Sequence, residues 1–491
     1  MSEEQKKELV SSLMEKNYLI TPGLLSQIPH DFDYGYFFDA IAPTIELAET
    51  AKSIPEAYFL ELLKKKDSLP DNCTVNIIES YNENSIKREI KHFVMYFRKR
   101  YETMRKILET RLELQGAVSI ARLSSKTARD NVALIGLISE KNITKKGNTL
   151  VTMEDMTGSI KVVLRKDNKE MGKAINELVL DEVVGITGVA DNGIVFAREI
   201  YFPDIPYSKE LKKSPDEVHA AFISDFHVGS NMFLPSQLER FISWINGNVG
   251  TDEQKKTALK VKYIFVAGDL VDGVGIYPEQ DNELVIKEIK EQYKECARYL
   301  SMIRKDVKII VCGGNHDALR LAEPQPVLDI RFAAAISELP NVTVVSNPSY
   351  VNIHASDGFP GFDVLMYHGY SFDYYASNVD SIRTAGGYDR VDLIMELLLR
   401  KRHLCPTHSS TLYIPDQDRD PLIIEKIPDF FVTGHIHRSK VSSYKNVTTV
   451  CCSCWQAKTA FQEKTGHNPE PARVPIVNLQ TRMVKIFKFG D

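Results

Sequence analysis

Cysteine is scarce in this chain of 491 residues: there are seven, an odd number, and only Cys451, Cys452 and Cys454 lie close together. No C-x-x-C pairs recur at zinc spacing, so neither a disulfide framework nor a zinc finger is indicated. No apolar run approaches the ~20 residues that a bilayer crossing requires. The opening stretch MSEEQKKELVSSLMEKNYLI has amphipathic helical spacing and lacks the apolar centre of a signal peptide. Nor is one sign of charge in excess, since 61 Lys and Arg stand against 66 Asp and Glu, a net charge of −5. A global basic field is therefore missing, and any contact with nucleic acid has to come from local patches. These absences describe a cytoplasmic chain with reduced thiols and no membrane partner.

What is present is an ordinary globular composition, 43% hydrophobic and 26% charged, at a length that one core rarely supports. Two to four domains are expected. Residues 1–72 are polar and helix-rich and read as a small helical module. Residues 73–127 read as a linker with a long amphipathic helix from about Ser85 to Leu114. Ile86, Ile90, Phe93, Phe97, Tyr101, Met104 and Leu108 recur at helical spacing on one face of it. The other face carries Lys87, Arg88, Lys91, Arg98, Lys99, Arg100, Arg105 and Lys106, a solvated face or, alternatively, one that docks a partner or DNA. Over 128–205 the period changes to two. Five short strands around one helix, Lys169–Leu178, suit an OB-fold, here read as a scaffold because aromatic stacking residues are few. Pro203–Pro215 reads as a linker. Over 206–491 short apolar strands alternate with helices, and most of the strands end in polar residues.

Five of those strand ends carry ligand-type groups: Asp225-Phe226-His227, Gly268-Asp269, Gly314-Asn315-His316-Asp317, His368-Gly369 and Gly434-His435-Ile436-His437. Each alone has a dull reading as a turn, a helix cap or a half-buried histidine. Together and in order they match what two divalent cations ~3.5–4 Å apart need, namely a bridging carboxylate with imidazoles and oxygen donors around it. Alternate residues of a strand point to opposite sides, so D-x-H and H-x-H have to sit in turns to converge. Gly229, Gly268, Gly314, Gly369 and Gly434 supply the backbone freedom for that. The mixed N/O donor set suits Mn, Fe or Zn better than Ca or Mg.

These motifs resemble the calcineurin-like metallophosphoesterase superfamily, with its D-x-H, G-D, G-N-H-[DE], H and G-H-x-H pattern. The resemblance implies a four-layer α/β/β/α domain inside an α/β multi-domain chain. It also implies one metal on Asp225, His227, Asp269 and His437, and a second on Asp269, Asn315, His368 and His435. His316 would protonate the leaving oxygen. Asp272 matches the carboxylate that orients this histidine, though it reads equally well as a turn aspartate.

Helical start, OB-fold and phosphoesterase in this order resemble the small-subunit family of archaeal family-D DNA polymerases. The most specific stretches are FISDFHVGS, VAGDLVDGVGIYPEQ, GGNHDALRLAEPQP, YHGYSFD and VTGHIHRS. That family implies a proofreading 3′–5′ exonuclease with Mn²⁺ as cation, a large polymerase subunit as partner and DNA 3′ ends as substrate, near the nucleoid. A non-enzymatic assembly subunit and a stand-alone phosphodiesterase are the alternatives. Tyr370, Phe372, Tyr374 and Tyr375 are candidate base-stacking residues or core aromatics. Arg400, Lys401, Arg402 and His403 are candidate phosphate-steering groups or surface charges, and Arg438 and His408 are carried forward as substrate contacts. Gln480, Met483, Ile486 and Phe487 loosely echo a sliding-clamp peptide, but their alternating run reads better as a terminal strand.

Overall fold

The computed structural model describes residues 73–82, 86–124, 129–166, 169–459, 462–463 and 466–490. The helical module expected over 1–72 lies outside the described residues. The first described strand, β1 (Val75–Ser80), falls in the expected linker, yet it pairs antiparallel with Ser349–Ile353 and forms the edge of a large sheet. After it come α1 (Ile90–Leu108) and the short α2 (Ile120–Ser124).

β2 (Asp130–Ile143), β3 (Thr149–Asp155), β4 (Gly158–Leu164), β5 (Val183–Asp191) and β6 (Ile194–Tyr201) close into a barrel in the order β2-β3-β4-β6-β5, with α3 (Lys169–Glu177) between β4 and β5. Alternate residues fill its interior, among them Leu134, Ile138, Val151, Met153, Val162, Ile186 and Val195. Closure needs a sharp bend in β5. At Gly188 the register against β6 shifts, and a Cβ there would lie 2.3 Å from the Phe196 carbonyl oxygen.

The rest of the chain, together with β1, builds two six-stranded sheets. Its first part runs β7 (His219–Ile223), α4 (Pro235–Ile245), α5 (Asp252–Leu259), β8 (Val261–Ala267), α6 (Ile289–Ser301), β9 (Lys308–Cys312), α7 (Ile330–Ser337) and β10 (Val342–Val344). Next come β11 (Ser349–Ile353), β12 (Phe362–Met366), α8 (Phe372–Asn378), α9 (Asp380–Ala385) and α10 (Val391–Lys401). The chain finishes with β13 (Phe430–Thr433), β14 (Lys440–Tyr444), β15 (Val447–Cys451), β16 (Arg473–Asn478) and β17 (Val484–Lys488). One sheet has the order β10-β9-β8-β7-β16-β17, the other β1-β11-β12-β13-β15-β14. Their inner faces share a core of Ala220, Phe222, Phe265, Met366, Phe430 and Val450. Alternate residues such as Ala221, Ile223, Ile264 and Val266 turn outward beneath α4 and α6, and Leu365 and Phe431 beneath α8 and α10. Central strands buried on both faces read as unbroken apolar runs, as these do. The C-terminal run that echoed a clamp peptide is built into this fold: Phe487 of β17 packs on Trp244, ring centroids 4.7 Å apart.

Buried ion pairs fasten α1 and the barrel to the sheets, and here the helix departs from its expected face. Ile90 is 85% exposed, whereas Arg100, expected on the solvated face, is 1% exposed. Arg100 Nε donates to Asp420 at 2.7 Å and Nη1 donates to the carbonyls of Pro406 and Asp181. Tyr96 OH donates to the same carboxylate at 2.6 Å. Lys401 lies 2.6 Å from Glu182 of the barrel, and Arg400 pairs with Glu177. The expected linker Pro203–Pro215 is pinned too, with Lys209 and Lys212 both on Asp429.

Candidate active site

The candidate ligands follow the C-terminal ends of parallel strands: β7, β8 and β9 in one sheet, β12 and β13 in the other. Ligands gather at such strand ends in open α/β sheets. The backbone turns that bring them together are left-handed at the ligands themselves. Asp225 has φ 53°, His227 52°, Asp269 51°, His435 68° and His437 58°. A non-glycine residue in this region costs roughly 1–3 kcal/mol and persists only where its surroundings hold it. Here the clamps are main-chain bonds, Asp225 N–H to the Gly268 carbonyl at 2.9 Å and His227 N–H to the Asp269 carbonyl at 3.1 Å. The five flanking glycines divide into two kinds. Gly229, Gly268 and Gly369 have positive φ. Gly314 and Gly434 instead provide room, since a Cβ would lie 2.2 Å from Asp269 Oδ1 and 2.6 Å from Asp225 Oδ2, respectively.

All seven expected metal ligands converge. Asp225, His227 and His437 form one cluster, and Asp269, His368 and His435 another. His227 Nε2 lies 3.1 Å from His437 Nε2 and 3.8 Å from Asp269 Oδ2. His437 Nε2 is 3.3 Å from Asp225 Oδ1. His368 Nε2 is 3.3 Å from Asp269 Oδ2 and 2.9 Å from Asn315 Oδ1. Asp269 Oδ2 thus faces both groups, while Asp269 Oδ1 accepts the His316 backbone N–H at 2.8 Å.

Partners behind these imidazoles set which nitrogen points inward. His227 Nδ1–H donates to Asp272 Oδ1 at 3.1 Å and His368 Nδ1–H to the Ala267 carbonyl at 2.7 Å, so each turns its Nε2 to the centre. His435 Nε2 meets Asp373 Oδ2 at 3.2 Å, and His437 Nδ1 meets the Gln462 amide at 2.9 Å. His316 Nδ1–H donates to the main-chain carbonyl of Asp272 at 2.8 Å. This differs from the expectation that the Asp272 carboxylate orients His316. That carboxylate instead accepts from His227, from Gln280 Nε2 at 2.9 Å and from Gln456 Nε2 at 3.1 Å.

Electrostatics report a site short of positive charge. Burial would raise the Asp269 carboxyl, but His368, His316 and His227 hold it well below the usual carboxylate range. Burial would also keep His368 neutral, yet Asp269 and Asp225 outweigh it and push its pKa up to about 10. The ion-pair partners of these two buried carboxylates among the described residues are imidazoles. Two buried carboxylates beside imidazole Nε2 atoms that face the same point form a mixed N/O donor set that fits a pair of divalent cations.

Residues 218–439 match the calcineurin-like phosphoesterase family. A DNA polymerase II small subunit of Methanothermobacter thermautotrophicus is 38% identical over 414 residues, 84% of this chain and 82% of that one. Those of Methanocaldococcus jannaschii and Archaeoglobus fulgidus are 37% and 36% identical, over 82% and 83% of this chain and 67% and 79% of their own. The chain belongs to the DNA polymerase II small subunit family. Its metallophosphoesterase domain implies divalent metal binding, and the Asp and His clusters are candidates to hold the ions. No helix among the described residues of this small subunit is long and apolar enough to cross a membrane.

Not every expected contact of this small subunit reaches the centre. Arg438 borders it but pairs with Asp389 at 2.7 Å. The neighbours of His408 are Phe93, Tyr413 and the Asp181 carboxylate, none of them a site residue. Arg400, Lys401 and Arg402 are engaged in buried or half-buried contacts with the barrel and the main chain, and His403 bonds Asp420 at 2.8 Å. Phe372 and Tyr375 are core, whereas Tyr370 lies against His435, centroids 5.7 Å apart. Sequence reasoning assigned no role to several positioning residues. Asp317 accepts the Gly314 N–H at 2.8 Å and the Tyr293 hydroxyl at 3.0 Å, which pins the Asn315–His316 turn. Gln325 donates to the Gly314 carbonyl and accepts from Asn347, which in turn accepts the His368 N–H at 2.8 Å. Gln325 lies in the GGNHDALRLAEPQP stretch, so a signal for it existed. Gln456 carries none.

Proposed function

We propose that this chain is a metal-dependent 3′–5′ exonuclease that removes mispaired 3′-terminal nucleotides for a large polymerase subunit. One cation, Mn²⁺ in this reading, is held by Asp225, His227, Asp269 and His437. The other is held by Asp269, Asn315, His368 and His435. The observation that carries the reading is Asp269 Oδ2, buried and facing Nε2 atoms of both groups, 3.8 Å from His227 and 3.3 Å from His368. When bound, two such cations supply a nucleophile at neutral pH and neutralise charge on the phosphoryl oxygens.

The residues of the chain do the rest. With Nδ1 donating to the Asp272 carbonyl, His316 keeps Nε2 for the proton that passes to the leaving O3′. Asp272 fixes the tautomer of His227, and Asp317 with Gln325 holds Asn315 in place. The five-stranded barrel is read as an OB-fold, and the two sheets beneath their helices as the four-layer calcineurin-like arrangement. The domain division at 72, 127 and 205 is part of the same reading, with β1 as an excursion of the second segment into the sheet of the last.

The test is purified full chain with Mn²⁺ and a 3′-labelled mismatched primer. Stepwise release of mononucleotides is expected. If neither the chain alone nor the chain with its large subunit cleaves, the reading fails and an assembly role stands in its place. Hydrolysis of small diesters without DNA cleavage would point to a stand-alone phosphodiesterase.

A further inference from the structure

A groove of about 760 Å³ opens beside His316, walled by Val274, Ile276, Ile330 and Phe332, with Arg331 at its edge. Three exposed apolar side chains share this one groove: Val274 is 43%, Ile276 38% and Ile330 67% exposed. The Arg331 side chain is 77% exposed and pairs with Asp329. Gly273 keeps the wall flush with the centre, since its φ is +77° and a Cβ would lie 2.4 Å from the His316 carbonyl oxygen. An apolar wall running up to a proton donor is a poor phosphate site and a good one for a sugar and an unpaired base.

The chemistry fixes the direction. Hydrolysis of a 3′-terminal phosphodiester breaks the P–O3′ bond, and O3′ belongs to the penultimate nucleotide. The group that protonates O3′ therefore faces the strand that remains, not the nucleotide that departs. We infer that this groove is the subsite for the retained strand: the penultimate nucleoside of a single-stranded 3′ end packs its base and sugar on Val274, Ile276 and Ile330, with Arg331 toward the neighbouring phosphate. The inference rests on the exonuclease reading above. A paired base would bury its edge and both faces in the duplex, so the groove selects for melted ends.

The experiment uses 5′-fluorescein oligonucleotides and fluorescence anisotropy with full chain in EDTA, where nothing is cleaved. Removing the base at the penultimate position is expected to weaken binding about tenfold, in line with the loss of one packed base, and more than removing the terminal base. Ile330→Asp, an exposed position at the start of α7, should weaken the intact oligonucleotide similarly and erase the penultimate preference. Arg331→Glu provides a second variant, expected to weaken all of the oligonucleotides alike. Equal binding of intact and penultimate-abasic strands, or unchanged binding by both variants, overturns the inference. Mismatched-primer cleavage by the unaltered chain with Mn²⁺ is run in parallel. Cleavage with no penultimate preference sinks the groove alone, and absence of cleavage by the chain both alone and with its large subunit sinks the exonuclease reading.

Discussion

Replacing Asp272 by Asn separates two roles for that residue. Its carboxylate is 1% exposed and accepts from three donors, His227 Nδ1, Gln280 Nε2 and Gln456 Nε2. Asn presents one acceptor oxygen and one amide group, so at least one of the three donors is left facing another donor. A buried donor without a partner costs roughly 1–3 kcal/mol, and loss of the charge also weakens the grip on the His227 tautomer. If that cost falls on His227, affinity for the cation it holds should drop about 10–100-fold, the range typical for losing such an outer partner. The other proposed site, on Asp269, Asn315, His368 and His435, includes none of the three donors to Asp272 and shares only Asp269 with the first. Calorimetric titration of the metal-free chain with Mn²⁺ should therefore show one weakened and one unchanged site, with thermal melting to confirm the fold. His316 should be little affected, because it bonds the Asp272 main-chain carbonyl, which Asn retains. Unchanged binding at both sites, combined with loss of the acid-dependent limb of activity, would refute this reasoning and return Asp272 to orienting His316.

The remaining predictions concern the proposed proton donor and the junction with the barrel. His316→Ala should bind both cations and lose about 10²–10⁴-fold in turnover, whereas metal loss in proportion to activity would remove His316 from that role. His403 is held neutral: burial, outweighing the Asp420 charge, lowers its pKa to about 4, and its Nδ1 accepts the Cys405 N–H at 3.0 Å. The unfolded chain takes up that proton near pH 6.5 and the folded one only near 4, so stability falls by roughly 3 kcal/mol as pH drops through this window. In His403→Gln that share of the slope should vanish from urea denaturation curves; an unchanged slope means that His403 is not the group involved. Arg100→Ala leaves Asp420 buried without its guanidinium and should cost about 3–5 kcal/mol in the same assay. A loss below 1 kcal/mol would show that the pair is hydrated.

The site was legible because its residues announce themselves locally: an apolar strand stops and a ligand-type residue with glycine beside it follows. The barrel was legible for a similar reason, since period-two runs and turn residues are near neighbours in sequence. What sequence reasoning missed is pairing across long separations. Arg100 sits in a run of basic residues on a helix, and only Asp420, 320 positions away, makes its burial possible. Lys401 reads as a phosphate-steering cation until Glu182, 219 positions away, takes it. β1 is short, half-exposed and followed by no hairpin partner, so nothing nearby marks it as a strand that completes a sheet with β11.

The left-handed turns explain why these candidate ligands stand at strand ends and not on longer loops. Asp225 and His227 have to face one point although only Phe226 separates them, and the same holds for His435 and His437 across Ile436. Left-handed torsion at both members of each pair does this, at a cost that a free loop would shed by relaxing. It cannot relax here, because the Asp225 and His227 amides are bonded to the turn after β8, and the Gly434 amide to the His368 carbonyl. Phe226 and Ile436, the residues between, are buried at 0% and 1% exposure in the two cores outside the sheets. Each intervening apolar residue thus anchors the pair around it. The x of D-x-H and of H-x-H is part of the device: a polar residue at either position would free the turn and scatter the ligands it spaces.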